Sequence, residues 1–510
     1  MHDAIPDPAG SDSGPQGAPS DRRTALGWLL GLAVFVLLFQ GSRGLYEPDE
    51  GRYTNVALAM LRSGDWTHPY LHHEVPHYAK PPLTYWSLAA TIALFGRNEW
   101  ACRLPHALAF ILTICCLYRL GRIFVPGRPW LPALAYALAP LPFAASNVIT
   151  PDTPLALFTT LGLTAFACFW WPGASTRPRV WLAVMWAAFG LAFLTKGPAG
   201  WLPLIAVIVF VWTQERGAGW KRLFKPCDVA LCLTLAFSWY AQVALSKPDL
   251  LHYFLIDELY NRVATGEHRR NPEWYKPFLI YGPGLIICLL PWAREAWDAA
   301  PAAWSRLRSF AKPEARRAHA ETFFLTLALL LPLAVLMLIR SRLILYLLPL
   351  CAPLILLLAR HMRALAFTNA RKAWVGFWIV ALVGLKFGAA RFDSGLNSKN
   401  FAAALNGQLV ARPYEVVFVD GDPFYGLNFY LDCQVEHLKL AGTSGEELAE
   451  EVAEEEPNVV YSVRSKYLQG FCRSVSDLNH RTTVLGNHDE FTFVRLTHDG
   501  EAGAQPANER

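Results

Sequence analysis

The sequence predicts a polytopic α-helical membrane protein that ends in a small extracytoplasmic α/β domain. Three observations predict this fold class. Of the 510 residues, 53% are hydrophobic and only 17% are charged. Apolar runs long enough to cross a bilayer recur along most of the chain. After about residue 391 the hydropathy falls, and short strand-like and helix-like patterns alternate. A soluble protein of this size carries more charge, so a soluble fold is excluded.

The apolar runs define the predicted membrane domain. A helix needs about 20 apolar residues to cross the hydrocarbon core. The run over residues 82–95 is shorter and is predicted to lie along the interface. We therefore expect about 11–13 transmembrane helices. The candidate spans cover residues 24–42, 101–119, 129–148, 153–171, 180–195, 198–214, 227–245, 276–293, 321–339, 342–360 and 373–390.

Basic residues are concentrated in the loops that alternate spans place on one side. The positive-inside tendency assigns that side to the cytoplasm, so the N-terminus is predicted to be cytoplasmic and the C-terminal domain extracytoplasmic. These loops account for the net charge of +5, and nucleic acid is not an expected partner. The basic loops lie within residues 22–23, 119–128, 177–179, 216–225, 306–317 and 360–372.

The predicted domains follow from the composition. A cytoplasmic tail rich in Pro, Gly and Ser is expected to be disordered. The C-terminal domain is expected to contain strands near 415–419, 459–462 and 491–494, with short helices between them. Cys433 and Cys472 lie in it, either as free thiols or as a disulfide. The predicted segments are the tail 1–23, the membrane domain 24–390 with its first outer loop at 43–100, the α/β domain 391–498 and a disordered tail 499–510.

Acidic residues stand at two predicted outer helix ends. The sequence EPDEGRY at 47–53 directly follows the first span. Carboxylates at a membrane surface are costly, which favours a function for Asp49 and Glu50 over a simple turn. Arg52 is placed to orient a carboxylate that acts as a general base. Asp152, in TPDTP, begins another span, where it is either a helix cap or a second acidic group of a site.

Cations recur at separate outer turns. Lys80 lies in YAKPP, Lys196 in LTKGP, and Arg340 and Arg342 in RSR, shortly before Tyr346. Each one alone is explained by a long side chain that reaches the lipid headgroups. Together they indicate a bound phosphate or pyrophosphate, held by charge-assisted hydrogen bonds.

Residue types alone suggest metal binding at three places, each with a simpler explanation. The loop from His68 to His77 lacks a tetrahedral ligand spacing and is predicted to be a polar surface loop. His268 is isolated and is expected to be structural. The sequence Asp420-Gly421-Asp422 falls in a strand-to-helix turn, where Asp and Gly are favoured for backbone reasons. These patterns require no cofactor, and a divalent metal stays an open alternative.

In their order along the chain, these motifs resemble those of membrane glycosyltransferases that use polyprenyl-phosphate sugars. The resemblance is to the protein O-mannosyltransferase family and especially to the bacterial lipid A aminoarabinose transferases, and it covers about residues 45–350. The matching elements are PDEGRY at 48–53, SGDW at 63–66, KP at 80–81, FG at 95–96 with Arg103, TPD at 150–152, LTKG at 194–197, residues 253–262 with His268 and PEWY at 272–275, and SR at 341–342 through Pro349.

The resemblance implies a GT-C-like fold with juxtamembrane helices in the first periplasmic loop, set in the bacterial inner membrane. It implies inverting transfer of a sugar from an undecaprenyl-phosphate type of donor to lipid A, another glycolipid or a protein hydroxyl. Asp49 is then the catalytic base, with Glu50 in support and Asp152 as a second acidic group. Six residues are implied to surround the donor phosphate: Arg52, Lys80, Lys196, Arg340, Arg342 and Tyr346.

Two departures from the family pattern leave parts of this reading open. Residue 79 is alanine where the aminoarabinose enzymes have an acidic residue, which removes one ligand of a metal that some members bind, although His268 keeps the position of a partner ligand. Residues 341–345 read SRLIL where those enzymes favour SKLP, so the sugar and the acceptor stay open.

The alternatives are a transporter or flippase of lipid-linked glycans, and an assembly subunit with a degenerate site. A transporter places charges near the bilayer midplane. Here the charges lie at helix ends on one side, which favours an enzyme.

Overall fold

The computed structural model describes residues 22–72, 75–254, 271–392, 394–440, 446–454 and 456–498. A series of helices is followed by a five-stranded sheet that has further helices between its strands. The helices are α1 (Arg22–Leu37), α2 (Asp49–Ser63), α3 (Leu83–Phe95), α4 (Glu99–Phe124), α5 (Trp130–Ala137), α6 (Pro140–Ala145), α7 (Asp152–Trp170), α8 (Pro178–Lys196), α9 (Leu202–Leu223), α10 (Pro226–Ser246), α11 (Asp249–His252), α12 (Lys276–Leu289), α13 (Ala293–Ser309), α14 (Pro313–Ala318), α15 (Ala320–Leu338), α16 (Leu348–Met362), α17 (Asn369–Ala389), α18 (Ser398–Asn406), α19 (Leu427–Leu431), α20 (Glu446–Ala453) and α21 (Leu468–Asp477).

The helices confirm a multi-pass membrane protein. Within the described ranges, eight segments are long and apolar enough to cross a bilayer. One of them, Pro178–Glu215, has 38 residues, which is enough for two crossings. It is divided at Gly197, whose φ of 61° lies in the region that favours glycine. Helix α3 has 13 residues and is about 20 Å long. It is too short to span the core, as predicted for this run.

The predicted span over residues 129–148 was wrong as a single helix. The chain forms α5, with eight residues, and then α6, with six. Pro140 is the first residue of α6. Proline has no amide hydrogen to continue a helix, and the chain is extended at Ala139 just before it, so α6 begins anew at Pro140.

The membrane domain is held together by aromatic packing between α4, α7, α9 and α15. The ring centroids of Phe166 and Phe324 are 5.1 Å apart, and those of Phe210 and Phe324 are 5.3 Å apart. Small residues bring the helices close: a Cβ at Gly162 of α7 would lie 2.8 Å from the Phe189 ring on α8. Close packing of this kind stabilises helices in lipid, where the hydrophobic effect between them is weak.

The C-terminal domain contains one sheet with the strands β1 (Glu415–Val419), β2 (Gln434–Leu438), β3 (Val459–Arg464), β4 (His480–His488) and β5 (Phe491–His498). Their order is β2-β1-β3-β5-β4. The first three strands are parallel, while β5 is antiparallel to β3 and β4. The three strands expected from sequence are present, whereas β2 and β4 were missed. Cys433 and Cys472 are both free thiols.

The sheet domain rests on α2 of the membrane domain. Arg62 on α2 donates to Asn428 Oδ1 at 2.6 Å and pairs with Asp432. Asn428 also donates to Asn55 Oδ1. The Asn428–Asn55 contact is buried, whereas Arg62 and Asp432 are each 40% exposed. Together these contacts link α2 to the domain. The boundary expected at residue 391 stays a prediction.

Candidate active site

The acidic segment of residues 47–53 forms the start of α2. Asp49 and Glu50 are the first two residues of the helix. Successive helical residues point about 100° apart, so the two carboxylates face different surroundings. Glu50 is 1% exposed, whereas Asp49 is only partly buried.

Glu50 lies between two arginines. Arg43 donates to its two oxygens at 2.5 and 2.9 Å, and Arg103 at 2.8 and 3.0 Å. The amide of Tyr46 donates to it at 2.9 Å. Burial acts to raise the pKa of Glu50, but Arg103 and Arg43 outweigh it and lower the pKa to about 2. Glu50 is thus an ionised anchor of the helix start, and its supporting role in catalysis, implied by the resemblance, stays a prediction.

Gly51 is required by the close approach of Glu47. A Cβ at this position would lie 2.0 Å from Glu47 Oε1. The same oxygen accepts hydrogen bonds from Ser398 Oγ and from the Gly426 amide, both at 2.6 Å. The glycine of the PDEGRY motif therefore lets the chain beside Asp49 pack against the C-terminal domain.

Asp49 and Asp152 converge on Tyr53. This buried phenol has a pKa raised well above its usual value, first by burial, then by Tyr85 and by the carboxylates of Asp49 and Asp152. Asp49 begins α2 and Asp152 begins α7. Two acidic groups predicted from separate motifs therefore lie close enough to one side chain to act on it electrostatically.

Asp152, Lys196 and Tyr346 meet in one cluster. Asp152 pairs with Lys196, and both side chains are largely buried. Lys196 Nζ lies 4.1 Å from the centre of the Tyr346 ring. The residue before α7 is Pro151, so Asp152 does not serve as the helix cap. The acid, the cation and the aromatic ring come from three different sequence motifs and form one site.

These residues border a cavity of about 590 Å³. Most of its wall is apolar. Among the described residues that line it, the charged ones are Lys80, Asp152 and Lys196, and those with a hydroxyl are Tyr78, Tyr240, Ser341 and Tyr346. The apolar wall is supplied by residues such as Leu155, Phe193, Phe237, Val335 and Leu336. A mainly apolar cavity with two lysines suits an amphiphile that has an anionic head and a hydrocarbon tail.

Lys80 connects the cavity to Arg52. Its Nζ donates to the Ala79 carbonyl at 2.9 Å, and Pro81 and Pro82 follow before α3 begins. The pKa of His77 is lowered to about 3, first by burial and then by the positive charges of Arg52 and Lys80. His77 is thus neutral and lies close to both cations. Sequence reasoning assigned no role to it.

The arginines of the RSR turn do not line the cavity. Arg342 is 4% exposed and donates to the carbonyls of Asn271 and Glu273 at 2.8 and 3.0 Å. Arg340 is exposed. Only Ser341 between them lines the cavity. Arg342 therefore holds the backbone of residues 271–273, and its implied contact with the donor phosphate stays a prediction.

The metal implied by the family pattern has no ligand at residue 79, because an alanine side chain offers no donor atom. His268 lies outside the described residues. Asp420 has a φ of 50° and accepts from the Leu440 amide at 3.0 Å, so the Asp-Gly-Asp turn is explained by its backbone.

The fold and the site define the chain as a multi-pass membrane protein with a cavity suited to an amphiphile. The crystal structure of ArnT from Cupriavidus metallidurans bound to undecaprenyl phosphate has the same fold, with a TM-score of 0.75 at 20% identity, and the match covers 95% of this chain and 100% of that one. The arabinofuranosyltransferase AftD from Mycobacteria is more distant, with a TM-score of 0.56 at 15% identity over 94% of this chain and 40% of that one.

Sequence comparison gives the family. Residues 79–260 match the model of the dolichyl-phosphate-mannose-protein mannosyltransferases. The undecaprenyl phosphate-α-4-amino-4-deoxy-L-arabinose arabinosyl transferase of Pseudomonas savastanoi pv. phaseolicola is 31% identical over 70% of this chain and 67% of its own length. The Pseudomonas aeruginosa LESB58 protein of the same name is 30% identical over 66% of this chain and 59% of its own length.

The chain belongs to the family of the undecaprenyl phosphate-aminoarabinose arabinosyl transferases. It matches about three fifths to two thirds of the length of these relatives. The expectation of a glycosyltransferase from this group is confirmed.

Proposed function

We propose that the chain transfers a sugar, of the 4-amino-4-deoxy-L-arabinose type, from undecaprenyl phosphate to lipid A at the outer face of the inner membrane. The observation that carries the proposal is the apolar cavity whose charged lining is Asp152, Lys196 and Lys80. The relatives' names supply the carrier and the sugar. A protein hydroxyl or another glycolipid is the second class of acceptor.

The cavity divides naturally between the two parts of a lipid-linked sugar. The prenyl chain lies against the apolar wall formed by α7, α8, α10 and α15. The phosphate lies between Lys80 and Lys196, because charge-assisted hydrogen bonds favour a phosphate there. Asp152 pairs with Lys196 and Tyr346 stacks under it, so both hold the ammonium in place.

The reaction then needs a base and a stabilised leaving group. Asp49 takes the proton of the acceptor hydroxyl or phosphate. The acceptor oxygen attacks the anomeric carbon of the sugar and inverts it, and the bond from that carbon to the carrier phosphate breaks. The phosphate leaves with the bonding electrons, and the lysines stabilise the growing negative charge. Arg52 lies three residues after Asp49 on α2.

The assay uses the purified chain in detergent with undecaprenyl phosphate-4-amino-4-deoxy-L-arabinose and lipid A. Mass spectrometry should show lipid A that carries one added sugar. A protein that only moves lipid-linked glycans would yield no covalent product. Absence of the glycosylated product here would contradict the proposal. Substituting a glycoprotein or a different glycolipid for lipid A identifies the acceptor class.

We also propose an orientation with the N-terminus in the cytoplasm and the C-terminal domain in the periplasm. The basic loops support it. Because Glu47 bonds Ser398 and Gly426, Asp49 lies on the same side as the C-terminal domain. Reporter fusions after Trp66 and after Lys312 should report the periplasm and the cytoplasm, respectively. The same side for both would contradict this orientation.

A further inference from the structure

His72 of the first outer loop is buried against the sheet of the C-terminal domain. The sequence places it in a loop rich in polar residues, yet it is only 4% exposed. Its Nε2 lies 2.6 Å from Glu415 Oε1. Glu415 is the first residue of β1 and is itself buried. An imidazole and a carboxylate from opposite ends of the chain thus meet out of contact with water.

A second strand brings another carboxylate to the same place. β1 and β2 are parallel, with Glu415 opposite Gln434 and Val417 opposite Glu436. Side chains alternate between the faces of a strand, so Glu415 and Glu436 project from one face of the sheet. One ligand atom each from His72, Glu415 and Glu436 lies within 4.8 Å of the other two.

The surroundings are strongly acidic. Glu456, Glu436 and Glu454 all act electrostatically on Glu415, and Glu451 does so on Tyr461 of the neighbouring strand. The Oε2 atom of Glu456 is buried and has no hydrogen-bond partner among the described residues. Carboxyl groups crowded together away from water are costly to ionise, and a bound cation offsets that cost.

We propose that His72, Glu415 and Glu436 bind a divalent transition metal, of which Zn²⁺ is the natural probe, and that the ion fastens the first outer loop to the C-terminal domain. Imidazole nitrogen and carboxylate oxygen are ligands that zinc accepts at about 2.0–2.2 Å. Tetrahedral ligands at that distance are about 3.4 Å apart. The His72–Glu415 gap therefore has to widen by less than about 1 Å, and water or Glu456 completes the set.

A bound ion would restrain the loop that leads to the cavity. The loop from His72 runs on to Lys80, which lines the cavity. An ion held by one loop residue and two strand residues fixes that loop relative to the domain. Neither Ala79 nor His268 is among the proposed ligands, so this site is distinct from the metal position that the family pattern suggests. It does not depend on which sugar is transferred.

The test counts zinc on the purified full-length chain, with the affinity tag removed, after equilibration with micromolar ZnSO₄ and buffer exchange. Elemental analysis should find one zinc per chain in the wild type. Glu436→Gln and His72→Gln should bind zinc at least tenfold more weakly. His68→Gln is the matched control, because His68 belongs to the same loop but bonds Asp65 and Ser246, and it should retain the ion.

Hydrogen exchange of the wild type gives a readout that does not depend on any variant folding. Zinc should slow exchange in residues 68–80, and magnesium at the same concentration should not. Wild-type protein that retains no zinc overturns the proposal. Retention by Glu436→Gln equal to that of the wild type overturns it as well, because the ion would then lie elsewhere.

Discussion

Replacing Glu50 by Gln removes a charge that two arginines share. The four charge-assisted contacts of 2.5–3.0 Å from Arg43 and Arg103 become contacts to a neutral amide, whose own NH₂ group faces donors. Arg103 is 1% exposed, so water cannot replace the hydrogen bonds that its guanidinium loses. Breaking a buried ion pair from one side costs about 3–5 kcal/mol. An unfolding entropy of about 2 cal/mol/K per residue spreads that cost over 510 residues. We therefore expect Glu50→Gln to lower the unfolding temperature by about 3–5 °C.

The assay is thermal unfolding in detergent, followed by tryptophan fluorescence at a fixed scan rate. Glu215→Gln is the matched control. Glu215 also accepts two hydrogen bonds from an arginine, at 2.8 and 3.0 Å, but that pair is exposed and is worth less than about 1 kcal/mol. An unfolding temperature for Glu50→Gln equal to that of Glu215→Gln would refute the assignment of Glu50 as a buried anchor.

Three further predictions concern the same region. Lys80→Gln should raise the KM for the lipid donor about tenfold to a hundredfold, because a charged hydrogen bond to phosphate is worth about 1.5–3 kcal/mol; an unchanged KM in donor titrations would remove Lys80 from the phosphate site. Gly51→Ala should lower both the unfolding temperature and the yield of folded protein, because the added Cβ would lie 2.0 Å from Glu47 Oε1. Gly282→Ala is the control and should lower neither, because a Cβ at residue 282 would have no atom within 4 Å. Burial raises the pKa of Glu47 to about 8, so the folded chain keeps a proton that the unfolded chain releases above about pH 4.5. Stability should therefore fall as the pH rises from about 4.5 to 8, and Glu47→Gln should flatten that slope in unfolding scans.

The sequence carried enough information to locate the cavity. Hydropathy set most membrane spans, and the motif order placed Asp152 and Lys196 at the outer ends of neighbouring helices. The structure pairs them because both helix ends face the same cavity. The break at Pro140 could not be read in the same way, because prolines also lie inside α4, α12 and α15, which continue through them.

Other parts of the site depend on contacts that no local pattern specifies. Arg342 sits in a motif typical of phosphate binding, but its donors go to the backbone of residues 271–273. Asp49 and Glu50 are adjacent carboxylates, and the sequence does not indicate which of them is buried. Only the contacts of Glu50 with Arg43 and Arg103 distinguish the two. His72 and Glu415 are 343 residues apart, so neither the loop nor the strand alone indicates the contact.

The central claim is that Asp49 is the base of sugar transfer. The most direct test is turnover of Asp49→Asn, purified and assayed at saturating donor and acceptor, with its unfolding temperature measured in parallel. The variant should lose at least about a hundredfold in turnover while it unfolds at the wild-type temperature, because Asp49 takes no part in the anchor formed by Glu50. Near-wild-type turnover would contradict the account.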